Sequence, residues 1–149
     1  MKKYITALAI FAALAIVAVL YVGRGRVNVA PGVPGLSTSG NEEVANAFKE
    51  QKSNVQVMGE GVVTKILPDD RDGGRHQRFI LSVGSGQSLL VAHNIDLAPR
   101  LTSLELGDKV AFKGIYEWNP KGGTIHWTHR DPTGRHQAGW LKHNGETFQ

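Results

Sequence analysis

No charged residue occurs between Tyr4 and Gly23, a run bracketed by Lys2 and Lys3 on one side and Arg24 on the other. At about 1.5 Å per helical residue such a run spans roughly 30 Å, the hydrocarbon thickness of a bilayer. It has no polar face, so it does not suit the surface helix of a small soluble domain. The apolar core of a secretory signal is usually shorter, about 7–15 residues. No small-x-small cleavage site closes the run; the nearest candidate, Asn28 to Ala30, is followed directly by Pro31. These features predict an uncleaved signal anchor within residues 1–26 that crosses the inner membrane once, with the remainder facing the periplasm. Secretion to the periplasm after cleavage is the alternative. Arg24 and Arg26 place positive charge beyond the run as well, which weakens the orientation rule.

The anchor also changes how the charge is read. The whole chain carries a formal +4. Lys2, Lys3, Arg24 and Arg26 account for that excess, because no acidic residue precedes Val27. From Val27 onward the charges balance, so the basic pI is no argument for nucleic-acid binding, and phosphate-backbone recognition is disfavoured. With no cysteine, neither a disulfide nor a thiolate ligand or nucleophile is available. The 149 residues leave room for one small domain.

Residues 27–40 hold Pro31-Gly32, Pro34-Gly35 and three hydroxyl residues, the composition of a flexible tether. Ser39 to Glu42 resembles a capping box, and Val44, Ala47, Phe48 and Gln51 recur on one helical face, predicting a helix over 41–52 with Val44 and Phe48 on the sheet. Beyond it the pattern is that of strands. An apolar stretch from Val55 to Leu67 is interrupted by Gly59 and Gly61, which predict a bulge or bend, and Pro68 to Gly74 reads as a loop. Gln77, Phe79, Leu81 and Val83 alternate with Arg78, Ile80 and Ser82; Leu89, Val91 and His93 alternate again, and Val110, Phe112, Gly114, Tyr116 and Trp118 share one strand face. Residues 94–106 suggest a short helix, and Ile125 and Trp127 continue the strand pattern. Asn144-Gly145 marks a C-terminal hairpin. A long bent strand, two strands, a short helix and two strands is the order of a five-stranded Greek-key barrel of the OB type, here over 41–149 with an N-terminal helix. A small open β-sandwich is the alternative. Neither architecture fixes a function.

The chemistry-bearing residues gather late. Four of the six histidines, His126, His129, His136 and His143, follow residue 125, with Asp131 among them. Histidine and carboxylate are ordinary ligands of zinc and similar divalent ions. If the segment stays a strand, His126 and His129 point to opposite faces, and one site holding both requires the strand to break between them. The set His129, Asp131 and His136 is then the better metal candidate, because Pro132 and Gly134 allow the loop to fold back. The competing reading is that these histidines hydrogen-bond the closing loop.

His76 and His93 stand at the open end of the hairpin turned by Gly84 to Gly86, where they are candidates for an acid or base; a cross-strand hydrogen-bonded pair is the plainer account. The aspartates of 68–74 lack EF-hand spacing, which leaves calcium weakly supported. Trp118, Trp127 and Trp140 with Arg130 and Arg135 form a candidate binding surface for bases or sugars, against their equally natural use as core or rim residues. No P-loop, nucleophile elbow or dinucleotide fingerprint is present.

The runs Arg75 to Phe79, Ala92 to Arg100, Gly114 to Asn119 and Ile125-His-Trp-Thr-His-Arg-Asp-Pro-x-Gly-Arg-His136, with Gly139-Trp140, resemble a bacterial family of domains of unknown function, the one numbered 3465. The resemblance covers roughly Val55 to Phe148. It implies a protein of similar size that begins with an export or anchor segment in an envelope setting. It implies neither a mechanism nor catalytic residues.

The expected function is therefore a membrane-tethered OB-like binding module in the periplasm, holding an envelope protein or an oligosaccharide. The alternative is a metal-dependent hydrolase, phosphodiesterase- or nuclease-like, with zinc or a related ion on His129, Asp131 and His136 and with His76 or His93 as general base. A purely structural envelope protein is the third possibility; there His136→Ala removes a hydrogen bond at about 1 kcal/mol.

Overall fold

The structure is a computed structural model that describes residues 38–84 and 86–149. The run expected to anchor the chain, and the tether up to residue 37, lie outside the described residues. Among the described residues no helix is long and apolar enough to cross a membrane.

The described part is mostly β, with one helix, α1 (Thr38–Lys49), and seven strands. The helix starts three residues before the expected 41, so residues 38–40 belong to it and not to the tether. Its C-terminus is set by Gln51 in the left-handed region (φ 52°). The Lys52 amide donates to Ala47 O and that of Gln51 to Phe48 O, a Schellman closure that satisfies the last carbonyls without glycine. Val44 and Ala47 enter the core with Phe48 packed beside them, as the spacing requires, while Gln51 stays exposed.

The strands are β1 (Val55–Asp70), β2 (His76–Val83), β3 (Gln87–Asn94), β4 (Lys109–Glu117), β5 (Thr124–His126), β6 (Trp140–His143) and β7 (Glu146–Phe148). β1 works twice. Val55 to Val62 pairs with β4, and Gly61 to Asp70 pairs with β2. β2 pairs with β3, β3 with β5 in parallel, and β5 with β4, so the ladders return to β1. β6 and β7 continue outward from β4. Inward positions alternate along β2 and β3, and the shared interior holds Phe79, Leu81, Leu89, Val91, Phe112, Tyr116 and Leu141, all fully buried.

Three local expectations are corrected. The bulge in β1 falls between Val63 and Lys65, not at Gly59 or Gly61, where the ladder to β4 is unbroken. Those glycines serve close approach instead: a Cβ at Gly59 would stand 2.5 Å from Asn41 Oδ1, and one at Gly61 2.7 Å from Ser82 O. Second, β1 runs through Pro68 to Asp70. The ladder slips there, between Leu67 and Asp70, and the Arg78 guanidinium donates to Pro68 O. Third, residues 95–106 form turns and no helix. One Ala98 N to Asn94 O bond is made and Pro99 follows. The hairpin at Asn144-Gly145 forms as expected, with both residues at positive φ and β6 paired to β7.

Candidate functional site

The strand expected to carry Ile125 and Trp127 in alternation is only three residues long. It ends at His126, and Trp127 adopts φ 54°, a left-handed conformation that a bulky side chain rarely takes. That turn is the break needed for His126 and His129 to share one site. Both line a cleft of about 270 Å³ together with His76, Asn94, Ala92, Leu97, Gly73 and Trp127. His76 and Asn94 close the ends of β2 and β3 and are paired in register.

The loop after Trp127 is held from three sides. His136 stacks on the indole with centroids 4.0 Å apart, and His129 lies tilted against it at 5.4 Å. The Gly139 amide donates to His129 O. Gly139 is required here because a Cβ would collide with Trp127 O and stand 2.6 Å from Lys113 O. Thr128 turns inward and meets His93 Nδ1 at 2.8 Å.

His93 and His76 do not face each other, because His93 is opposite Gln77 and His76 opposite Asn94. The two histidines therefore point to opposite faces. His93 is fully buried, with Nε2 3.0 Å from Pro99 O. A carbonyl only accepts, so Nε2 carries the proton and Nδ1 accepts from the Thr128 hydroxyl. Burial pushes the His93 pKa down to about 4 against the support of Pro99 O, with His129 and His76 as minor repulsive neighbours. This ring is neutral, with both nitrogens engaged inside the molecule.

Asp131 does not face the cleft's histidines as a free carboxylate. It accepts from the Thr133 hydroxyl at 2.7 Å and from the amides of Thr133, Arg135 and His136 at 2.8 to 2.9 Å. These bonds, the hydroxyl's foremost, hold its pKa well below the ordinary carboxylate value. Among the described residues no three histidine, aspartate or glutamate side chains are grouped so as to hold a metal ion. His129 Nδ1 is 2.7 Å from Arg130 O, His136 lies on the indole, and His143 sits on β6, bonded to Asp108 at 2.8 Å. His126 Nε2 is buried without a hydrogen bond, 3.6 Å from Glu117 Oε1. Burial lowers the His126 pKa and Glu117 partly opposes that.

The tryptophans and arginines singled out from sequence are dispersed. Trp118 packs against the core, and its Nε1 is buried without a partner. Trp140, on β6, has Lys142 Nζ 4.6 Å above its ring. Arg130 is exposed, and Arg135 bonds back to Thr133 within its own loop.

Sequence reasoning missed a second cleft. A groove of about 460 Å³ is lined by Leu67, Ile80, Leu90, Ser88, Asn119, Pro120, Lys121 and Gly123. Ile80 and Leu90 are opposite each other on the outward face of β2 and β3. The signal was present: both are large aliphatic residues at outward positions of strands whose inward positions already supply the core.

Residues 32–149 match the model of a family described as protein of unknown function (DUF3465). The chain belongs to this family. The DUF3465 match spans α1 and every strand, and thus the whole of both clefts. Among curated proteins no relative matches the chain.

Proposed function

We propose that this DUF3465 protein is a membrane-tethered binding module with an OB-like Greek-key barrel, facing the periplasm, and that it holds an oligosaccharide of the envelope across the outward face of β2, β3 and β5. The barrel reading is supported by the closed order of ladders, β1–β2–β3–β5–β4 and back to β1, with β1 shared between two partners. The tether reading is supported by the uncharged run from Tyr4 to Gly23.

The observation that carries the binding reading is the placement of the two clefts on one face. Ile80 and Leu90 line the apolar groove, and His76 and Asn94 line the histidine cleft. They are four residues apart along the same strands, roughly 13 Å. Ala92 lies between them. This face offers an aliphatic floor for the C–H face of a sugar, with Ser88, Asn119 and Asn94 at its margins for hydroxyl groups. Nucleic acid is disfavoured by the charge balance after Val27 and by the engagement of the cleft's indole: Trp127 is already stacked by His136.

The test is a titration of the full chain in detergent micelles with neutral and acidic oligosaccharides, and with a single-stranded oligonucleotide, read by amide and methyl shifts. Shifts at Leu67, Ile80 and Leu90 that vanish in Leu90→Asp support the proposal. Saturating oligosaccharide without shifts on this face, or an oligonucleotide as the tighter ligand, refutes it.

A further inference from the structure

We infer that the outward face of β1, β4 and β6 docks on the headgroup layer of an anionic phospholipid bilayer, so that the domain is oriented on the membrane surface and not only tethered to it. This rests on the tether reading, and it assigns the orientation that a tether alone leaves open.

Three rows of side chains cross this part of the sheet. Met58, Lys113 and Trp140 are opposite one another in register, as are Glu60, Ala111 and Lys142, and then Val62 and Lys109. Their neighbours Val57, Phe112 and Leu141 fill the core, so these rows point outward. The face is more apolar than solvation requires. Met58 is 45% and Val62 38% exposed, and Leu106, 67% exposed, stands in the turn that the Gly107 amide ties to Val63 O. Among the described residues these are three of the five large apolar side chains left exposed. Trp140 is half-buried, with Lys142 Nζ 4.6 Å above its ring.

Lys109, Lys113 and Lys142 set three positive charges against the one carboxylate in these rows, Glu60. None of the three is ion-paired with a described carboxylate. Asp108, beside Lys109, is engaged by His143 and by the Glu105 amide. Glu42 and Glu43 are exposed on α1, off the stripe of Gly40, Val44 and Ala47 that meets the sheet. Because charge balances after Val27, this basic face is segregation and not excess. Lysine heads among exposed apolar side chains and an indole suit the headgroup level, where charge meets lipid phosphate and the apolar parts reach the acyl boundary. A soluble polyanion leaves Met58, Val62 and Leu106 unused. A second copy packed on this face brings two sets of three lysines together.

The chain also enters the domain at the margin of this face. A Cβ at Gly40, the third residue of α1, would collide with Met58 O, and Asn41 Oδ1 accepts from the Glu60 amide at 3.0 Å. Only residues 24–37 separate Thr38 from the uncharged run, at most about 50 Å of fully extended chain. In the closed ladder order β4 stands across the barrel from β2 and β3, so docking by β4 leaves the groove at Ile80 and Leu90 facing away from the bilayer.

The full chain is reconstituted in nanodiscs of phosphatidylcholine, with and without phosphatidylglycerol, that carry a gadolinium-chelating headgroup lipid, and paramagnetic broadening is read by NMR. In anionic discs the Met58 and Val62 methyl signals and the Trp140 indole signal should broaden, while Ile80 and Leu90 stay sharp. About 0.5 M salt should release the face. Each lysine near an anionic surface is worth about fivefold, so Lys109→Gln with Lys142→Gln should lower the docked-to-free ratio roughly twenty-fivefold. The lipid and salt dependence of the wild-type chain decides the matter even if that variant folds poorly. Broadening that is absent, that is equal in both disc types, or that is strongest at Ile80 and Leu90 overturns the inference. So do shifts on this face with soluble polyphosphate but no broadening in anionic discs, and shifts that follow the number of chains per disc and not lipid charge, which mean a second copy. A chain retained in both disc types at high salt without broadening of the face leaves the tether standing and removes this assignment. A chain that floats with anionic vesicles only, and no longer does so in the double variant, does the reverse.

Discussion

His93 makes the stability of the domain depend on pH in a defined direction. The ring is 0% exposed, and its pKa is lowered from 6.5 to about 4. The unfolded chain binds a proton at this position below about pH 6.5, while the folded chain refuses it until about pH 4. The stabilisation is therefore complete above pH 6.5 and is lost as pH falls through that window. Integrating between the two values gives a loss of about 2 kcal/mol by pH 5 and about 3 kcal/mol by pH 4. The lowered pKa values of Asp70, Asp96, Asp108 and Asp131 act in the same direction but at lower pH, so the interval from pH 7.5 to 5 isolates histidine. Within it His126, also lowered, adds a smaller contribution. The assay is urea denaturation of the full chain at pH 7.5 and pH 5.0, wild type against His93→Gln. Glutamine retains a donor for Pro99 O and an acceptor for the Thr128 hydroxyl but does not titrate. The variant is expected to be less stable at pH 7.5 and to lose about 2 kcal/mol less than wild type on acidification. Equal losses, or a His93 ring signal that titrates near pH 6.5, would refute the reasoning.

Two more outcomes concern the loop that carries the site. Gly139→Ala places a Cβ against two backbone oxygens, which no side-chain rotation relieves, and it should destabilise by about 2 kcal/mol or more and perturb the Trp127 signal; denaturation together with tryptophan fluorescence checks it. Asp131→Ala removes the acceptor of three amides and a hydroxyl, so hydrogen exchange at Thr133, Arg135 and His136 should accelerate while exchange along β2 and β3 stays unchanged.

The features legible in the chain are those whose physical cause is local. Alternation along Gln77 to Val83 was legible because an antiparallel strand with one buried face imposes a period of two. Asn144-Gly145 was legible because few other dipeptides accept positive φ twice. The helix end at Gln51 and the continuation of β1 through Pro68 were not: the first is a local closure made at positive φ without the glycine that usually signals it, and the second depends on Arg78, ten residues on, reaching back to Pro68 O. Clustering of the histidines was half legible. Their abundance was visible, and so was the condition that the strand must break. That the break falls on a tryptophan was not, because backbone propensity argues against it. The ligand role read for Asp131 from its spacing competes with a cause equally local, four hydrogen bonds within its own turn.

Trp127 joins the fold to the site. A bulky residue at φ 54° is strained by an amount on the order of 1–3 kcal/mol, and it persists only where its surroundings over-determine it. Here the surroundings are His136 on one face of the indole, Gly139 closing the loop on His129, and Thr128 anchored to His93. The last of these has a consequence for the cleft. Protonating His93 removes the lone pair that accepts from Thr128, so the anchor of the loop is released only near pH 4. The burial of His93 thus holds that ring neutral down to about pH 4 and keeps the loop that positions His129 in place across that range.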